Sequence, residues 1–121
     1  MNIAICDDSR FNTVPLEEEL KELALESGIE ITVDVFKSYA HLVTSMKEKK
    51  YDLLLLQVSL RGVSGIEFAR GLRQQHNEAD IIFLSENADS ALAAYAAFPI
   101  GYILTPPMKR RLRAPFRRAS D

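Results

Sequence analysis

The sequence of 121 residues contains one cysteine, no tryptophan and no hydrophobic run long enough to cross a membrane. A single thiol, Cys6, excludes an internal disulfide, and without further thiols or suitably placed histidines it does not favour a zinc site. Fifteen basic and seventeen acidic residues give a formal net charge of −2, which predicts no overall attraction to nucleic acid or to membranes. Residues 1–5 lack a charged n-region and do not form a signal peptide, so we expect a cytoplasmic setting.

What the sequence does have is an ordinary globular balance, 47% hydrophobic and 26% charged residues, over a length that suits one domain, 1–121. Short apolar runs alternate with segments of helical period. The runs are 3–6, 29–36, 53–56, 81–84 and 102–104. Residues 53–56 are four leucines without alternation, which is typical of a strand covered on both faces. Five strands alternating with five helices predict an α/β fold, a flavodoxin-like, doubly wound, five-stranded parallel sheet of order 2-1-3-4-5 with helices on both faces.

Two of the helical segments have recognisable starts. Ser64 followed by Glu67 has the spacing of a capping box, which predicts a helix from Ser64 to about residue 76. Pro15 interrupts a smooth first helix and predicts that this helix begins late, near Thr13.

The last two helices are predicted from alanine and proline. Residues 88–97 are alanine-rich and favour a helix that ends before Pro99. Pro107 is a good first-turn residue and predicts the start of the last helix, which Pro115 should bend or stop. The residues expected on the inner face of that helix are Met108, Leu112 and Phe116.

Polar residues follow four of the five predicted strands at the point where each strand ends. Asp7 and Asp8 follow the first strand, and single polar residues follow three others: Gln57, Ser85 and Thr105. Because the carboxyl ends of parallel strands meet at one edge of the sheet, we expect these side chains to share a cleft. Adjacent aspartates repel each other unless a cation, an amide donor or water lies between them. The alternative interpretation is that one aspartate caps the next helix and the other faces solvent.

Several segments are similar, in order and spacing, to the landmarks of the receiver domains of two-component response regulators, and the resemblance covers essentially the whole chain. These segments are 3–9, 51–65, 81–85 and 101–106. The sequence pattern of these segments is similar to that of the receivers that precede LytTR-type DNA-binding domains. The resemblance implies one non-enzymatic signalling domain over 1–121, expected to be the N-terminal part of a transcription regulator whose DNA-binding domain would lie beyond Asp121.

The resemblance also implies roles for residues at the predicted edge of the sheet. The acidic pair Asp7 and Asp8, with the backbone carbonyl of Ser59, corresponds to the family's Mg²⁺ ligands. Ser85 corresponds to the hydroxyl that senses the phosphoryl group. Tyr102 corresponds to the aromatic switch residue.

Two positions depart from the family. Gln57 stands where the family has its phospho-accepting aspartate, and Thr105 stands where it has its lysine. A carboxylate can attack phosphorus to form an acyl phosphate, whereas an amide only donates and accepts hydrogen bonds. The short, neutral Thr105 cannot grip a phosphoryl oxygen as a lysine would. We interpret the chain as a receiver that forms no phospho-aspartate and acts by phosphorylation-independent contacts; two departures together favour natural loss over one engineered change.

The missing carboxylate bears on metal binding and on the alternatives. We expect no required cofactor, and weak or absent Mg²⁺ binding at Asp7, Asp8 and Ser59. A sharper hypothesis is that the Gln57 amide donates to Asp8 and meets part of its need for a cation. One alternative function is a phosphorelay receiver with a non-standard acceptor, Asp7, Asp8 or Ser59. Another is a flavodoxin-like small-ligand binder, which the lack of a Gly-rich phosphate loop or a nucleophile–base pair disfavours.

The predicted fourth helix carries more apolar residues than one buried stripe requires, among them Ala91, Tyr95 and Phe98. If exposed, they predict a homodimer or a protein partner at the surface of the fourth helix, fifth strand and fifth helix. The alternative is close packing of small residues against the sheet. Basic residues crowd positions 109–118, and we interpret them as a solvated helix face. We therefore expect no direct nucleic-acid contact, DNA being reached only through a separate output domain, and no membrane partner.

Overall fold

The strands of the computed structural model, which describes all 121 residues, divide between one large sheet and one small hairpin. In chain order they are β1 (Asn2–Cys6), β2 (Thr32–Phe36), β3 (Leu53–Gln57), β4 (Ser59–Leu60), β5 (Val63–Ser64), β6 (Asp80–Ser85) and β7 (Gly101–Leu104). The parallel sheet has the order β2-β1-β3-β6-β7, while β4 and β5 pair antiparallel with each other. Counting only the strands of the large sheet, the order is 2-1-3-4-5, so the predicted topology is confirmed.

Five helices cover the two faces of this sheet. They are α1 (Arg10–Ser27), α2 (Tyr39–Met46), α3 (Gly65–Gln74), α4 (Ala91–Ala94) and α5 (Arg113–Ser120). The leucines of β3 alternate between the two layers, because successive strand side chains point to opposite faces. Leu54 and Leu56 pack with residues of α2, α3 and α4, and Leu53 and Leu55 pack with residues of α1 and α5. The doubly wound arrangement therefore follows from an uninterrupted apolar strand.

The two predictions about helix starts have different outcomes. The Ser64 side chain accepts a hydrogen bond from the Glu67 backbone N–H at 3.2 Å, so the predicted cap of α3 is confirmed. The late start of α1 is wrong, because α1 begins at Arg10 and contains Pro15. Pro15 removes one backbone donor, the one that would have served the carbonyl of Phe11, a residue that is itself 86% exposed.

The predictions for α4 and α5 were only partly correct. Regular α-helix extends only over Ala91–Ala94, and a 3₁₀ turn (Tyr95–Ala97) leads to Phe98 in the left-handed region at φ 53°. The last helix begins at Arg113, not near Pro107, because Pro115 occupies its first turn, where the missing N–H has no helical partner. Pro115 therefore starts α5 and does not bend it. Leu112 and Phe116 are buried as predicted, whereas Met108 is 64% exposed.

No helix of the structure combines the length and the apolar character that crossing a membrane would require.

Candidate functional site

The carboxyl ends of the sheet strands open into a cleft of about 710 Å³. The polar residues predicted to share this edge all line it: Asp7, Asp8, Gln57, Ser59, Ser85 and Thr105. Sequence reasoning missed other members of the lining, above all Asn12 on the first turn of α1 and Glu86 after β6. Asn12 has the helical spacing that places its side chain over the end of β1, but only a known start of α1 would have revealed it.

Asp7 is buried at the centre of the cleft and is surrounded by hydrogen-bond donors. Its Oδ1 accepts from the backbone N–H of Ser9 at 3.0 Å, and its Oδ2 accepts from Asn12 Nδ2 and Gln57 Nε2, both at 3.0 Å. The hypothesis that Gln57 donates to Asp8 is therefore wrong, since the amide donates to Asp7. Gln57 and Asp7 are both buried, whereas the Asp8 side chain is 42% exposed and turns outward.

Asp8 has a different partner, Arg61. Its Oδ2 lies 3.3 Å from Arg61 Nε, and the two side chains are both about half exposed. Arg61 and Gly62 form the turn of the β4–β5 hairpin, with φ values of 51° and 80°. Sequence reasoning missed this ion pair. The signal available was an arginine–glycine pair between two short apolar segments, which is compatible with a tight hairpin turn of positive φ.

The backbone of Gln57 is fixed from the side of α2 and α3. The Tyr39 hydroxyl donates to the Gln57 carbonyl at 2.6 Å, and the Gly65 N–H donates to the Val58 carbonyl at 2.8 Å. Burial raises the pKa of Tyr39 far above its usual value, so its hydroxyl stays a neutral donor. A Cβ on Gly65 would collide with the Gln57 carbonyl oxygen and the Tyr39 hydroxyl. The end of β3 therefore has little freedom to move.

Thr105 contributes no charge to the cleft. Thr105 is buried, its Oγ1 has no hydrogen-bond partner, and its backbone N–H donates to the Ser85 carbonyl at 2.8 Å. Among the lining residues, Asp7, Asp8 and Glu86 carry carboxylates and none is lysine or arginine. The lining of the cleft is therefore acidic.

The residues present do not fit a bound divalent metal. No group of three or more His, Cys, Asp or Glu side chains lies close enough together to hold an ion. The oxygens of Asp7 already accept three N–H groups, and Gln57 turns an amide nitrogen toward Asp7 instead of offering a third carboxylate. Mg²⁺ demands near-octahedral oxygen ligation and gives up water reluctantly, so this donor set suits it poorly.

Tyr102, on β7, lies outside the cleft but is connected to its rim. Its hydroxyl donates to the backbone carbonyl of Asn87 at 2.9 Å, and Asn87 lines the cleft. The side chain is therefore anchored to the loop that joins β6 to α4. Cys6 lies in the core beneath the cleft, where burial, with a further contribution from Asp7, raises its pKa to about 12.

An apolar patch on α4 and β7 is exposed to solvent. Leu92, Tyr95 and Phe98 are 82%, 70% and 75% exposed, and Leu104 is about half exposed. We call these four residues the α4–β7 patch. Ala91 is half-buried beside it, and Ala94 and Ala97 pack into the core. The structure therefore combines both interpretations of this segment, with small residues packed inward and large ones left outside.

Arg73 on α3 fixes the turn that presents this patch. Its guanidinium donates to the carbonyls of Ala97 at 2.8 Å and of Ala79 at 2.7 Å, and also to those of Asn77 and Phe98. No carboxylate pairs with it. Arg73 thereby links α3 to the turn at Ala97 and Phe98 and to the segment that leads into β6, through backbone carbonyls alone.

Comparison with known proteins agrees with the fold and the order of these landmarks. Over 118 residues the chain is 30% identical to the cyclic di-GMP phosphodiesterase response regulator RpfG of Xanthomonas campestris pv. campestris, which covers 94% of this chain and 30% of RpfG. It is 24% identical to the sensory transduction protein LytT of Bacillus subtilis, over 93% of this chain and 45% of LytT. The chain therefore spans less than half the length of these relatives.

The solved receiver domain of the TMAO respiratory system response regulator TorR has the same fold, with a TM-score of 0.81 at 23% identity over 97% of this chain and 93% of that one. The family model for the response regulator receiver domain matches residues 3–114. This chain therefore belongs to the family of receiver domains of two-component response regulators.

Proposed function

We propose that this chain is a receiver domain that signals without accepting a phosphoryl group, through protein contacts at the α4–β7 patch. One observation carries the proposal. The side chain of Gln57, at the end of the central strand β3, is buried in the cleft and donates its amide to Asp7 at 3.0 Å. An amide oxygen is neutral and its nitrogen lone pair is delocalised, so neither atom can attack phosphorus as a carboxylate does.

The electrostatics of the cleft support the same proposal. A phosphoryl group brings negative charge, and the lining offers it three carboxylates and no basic side chain. Thr105 presents a hydroxyl where the family has a lysine, so nothing in the lining neutralises the phosphoryl oxygens. The loss of the acceptor and the loss of its cationic partner are therefore consistent with each other.

We also propose that the domain catalyses no reaction and requires no cofactor. Both histidines, His41 and His76, are exposed on or beside helices away from the cleft, and the buried Cys6 is protonated at neutral pH because its pKa is raised. No nucleophile–base pair is therefore available. Assignment to the LytTR-type subgroup, which the likeness to LytT supports, would place contact with DNA in a separate output domain.

The α4–β7 patch is the surface that we propose for homodimerisation or for a protein partner. Isolated exposed apolar residues are common, but here four large apolar side chains are exposed between Leu92 and Leu104. Exposed aromatic residues are typical anchors of protein interfaces because they bury a large area with few rotatable bonds. The cleft would then stay in one state, with signalling controlled by the presence of the partner.

Removing the aromatic anchors should weaken self-association while leaving the fold intact. We expect the double variant Tyr95→Ser/Phe98→Asn to weaken self-association by on the order of a hundredfold, because truncating each interface anchor typically costs more than 1 kcal/mol. Asparagine tolerates the left-handed backbone of position 98 better than phenylalanine does, so this substitution should not strain the turn. Light scattering after size-exclusion chromatography, over a range of concentrations, measures the effect.

The matched control is Leu25→Ser, which removes an equally exposed apolar side chain from α1. We expect this variant to associate as the unmodified protein does, with or without a small phosphodonor and Mg²⁺. If the phosphodonor changes the association of the unmodified protein, the proposal of phosphorylation-independent contacts is wrong.

A further inference from the structure

We propose that the Arg61 guanidinium, carried by the β4–β5 hairpin, permanently takes the place of a divalent cation beside the acidic pair. The proposal rests on the cleft's proposed inability to accept phosphate, and it extends that idea to the metal. It assigns a positioning role to Arg61, which keeps Asp8 neutralised and the cleft organised when no metal is bound.

The acidic pair needs positive partners, and the two aspartates obtain them from different sources. Asp7 is buried and accepts three N–H groups, one of them from Gln57. None of these donors reaches Asp8, whose side chain has Arg61 as its one hydrogen-bond partner. With Glu86 also in the lining, the cleft would otherwise hold three carboxylates and no cation. Arg61 therefore supplies the one full positive charge in contact with the pair.

The fold delivers this charge through the hairpin. The pairs Ser59–Ser64 and Leu60–Val63 close the two short strands, and the buried side chain of Leu60 anchors them to the core. The turn places Arg61 in the left-handed region at φ 51°, a conformation that a long side chain seldom adopts. Strained backbone persists where the surrounding structure imposes it, and it is often found at functional positions.

A divalent ion would have to compete with what is already in place. At Asp8 it would displace or repel the guanidinium, and at Asp7 it would meet oxygens that already accept N–H groups. Mg²⁺ also gives up its own water reluctantly. Because the Arg61–Asp8 pair is half exposed, salt screens it, and the competition is best measured at low ionic strength.

Metal titration of the whole chain tests the proposal. With Mg²⁺ and no phosphodonor, we expect the backbone amide NMR signals of Asp8 and Ser59 in the unmodified protein to show no saturable shift at millimolar concentrations. Arg61→Gln keeps a long polar side chain but removes the charge. It should show a saturable shift at these concentrations, which corresponds to binding at least about tenfold tighter, because a cation within a few ångströms no longer opposes the ion. Arg61→Lys retains the charge and should behave as the unmodified protein does.

A second measurement reads the ion pair itself. The Nε–H signal of Arg61 should move when Asp8 is replaced by asparagine and stay in place in the neighbouring variant Glu86→Gln. If the unmodified protein and Arg61→Gln respond to Mg²⁺ alike, Arg61 does not act in place of a divalent cation. The same holds if the Arg61 Nε–H signal stays in place in Asp8→Asn. Either result would leave the proposal about phosphoryl transfer standing, since that proposal is tested by phosphorylation and not by metal binding.

Discussion

Replacing Gly65 with alanine should lower the free energy of unfolding by about 1–3 kcal/mol, the range found for side chains forced into a packed interior. The added Cβ would collide with the Gln57 carbonyl oxygen and the Tyr39 hydroxyl. Neither can withdraw easily, since they are hydrogen-bonded to each other at 2.6 Å and the Gly65 N–H is bonded to Val58. Urea denaturation followed by circular dichroism measures the loss.

Gly71, six residues further along α3, provides the matched control. Nothing lies within 4 Å of the Cβ that an alanine would add there, and the backbone is ordinary helix. Gly71→Ala should therefore stabilise the protein by about 0.5–1 kcal/mol, because alanine is the better helix former. If the two alanine variants change stability in the same direction, close packing at the end of β3 is not what constrains Gly65.

Restoring the two missing family residues should restore phosphoryl acceptance. We expect the double variant Gln57→Asp/Thr105→Lys, with Mg²⁺ and a small phosphodonor, to gain one phosphoryl group, whereas the unmodified protein gains none. The new carboxylate at position 57 supplies the nucleophile. It would also form a group of three with Asp7 and Asp8, at which a divalent ion can displace Arg61 from Asp8. Lysine at position 105 would bring a positive charge to the acidic cleft.

The neutral double variant Gln57→Asn/Thr105→Lys is the control, because asparagine has the size of aspartate without its charge. Intact-protein mass spectrometry distinguishes the two, and the aspartate variant should stay unmodified when Mg²⁺ is chelated before the donor is added. A folded aspartate variant that stays unmodified under all conditions would mean that residues other than Gln57 and Thr105 prevent the chemistry.

The topology was predictable because it depends on local patterns that the sequence displays directly. The unbroken leucines of β3 require cover on both faces, and strands that alternate with helices leave few arrangements of a parallel sheet. The cap at Ser64 was predictable for the same reason, since its partner Glu67 lies one turn away. The extent of α4 was not, because alanine propensity is a weak effect, and here Ala94 and Ala97 pack in the core while Phe98 turns into the left-handed region.

The contacts of the cleft show where sequence reasoning ended. That an amide donor would serve the acidic pair followed from the chemistry of Gln57, but the choice between Asp7 and Asp8 depends on which of them turns inward at the end of β1. The partner of Asp8 is 53 residues away and is brought there by a hairpin turn of unusual backbone conformation. Neither the conformation of the turn nor the contact of Arg61 with Asp8 follows from amino-acid composition or from hydrophobic periodicity.

Exposure of the unmodified protein to a small phosphodonor and Mg²⁺, followed by measurement of its intact mass, tests the central claim most directly. The neutral amide of Gln57 in the acidic cleft predicts an unchanged mass under conditions that modify the Gln57→Asp/Thr105→Lys variant. A stable gain of one phosphoryl group by the unmodified chain, mapped by fragmentation to Asp7, Asp8 or Ser59, would contradict it.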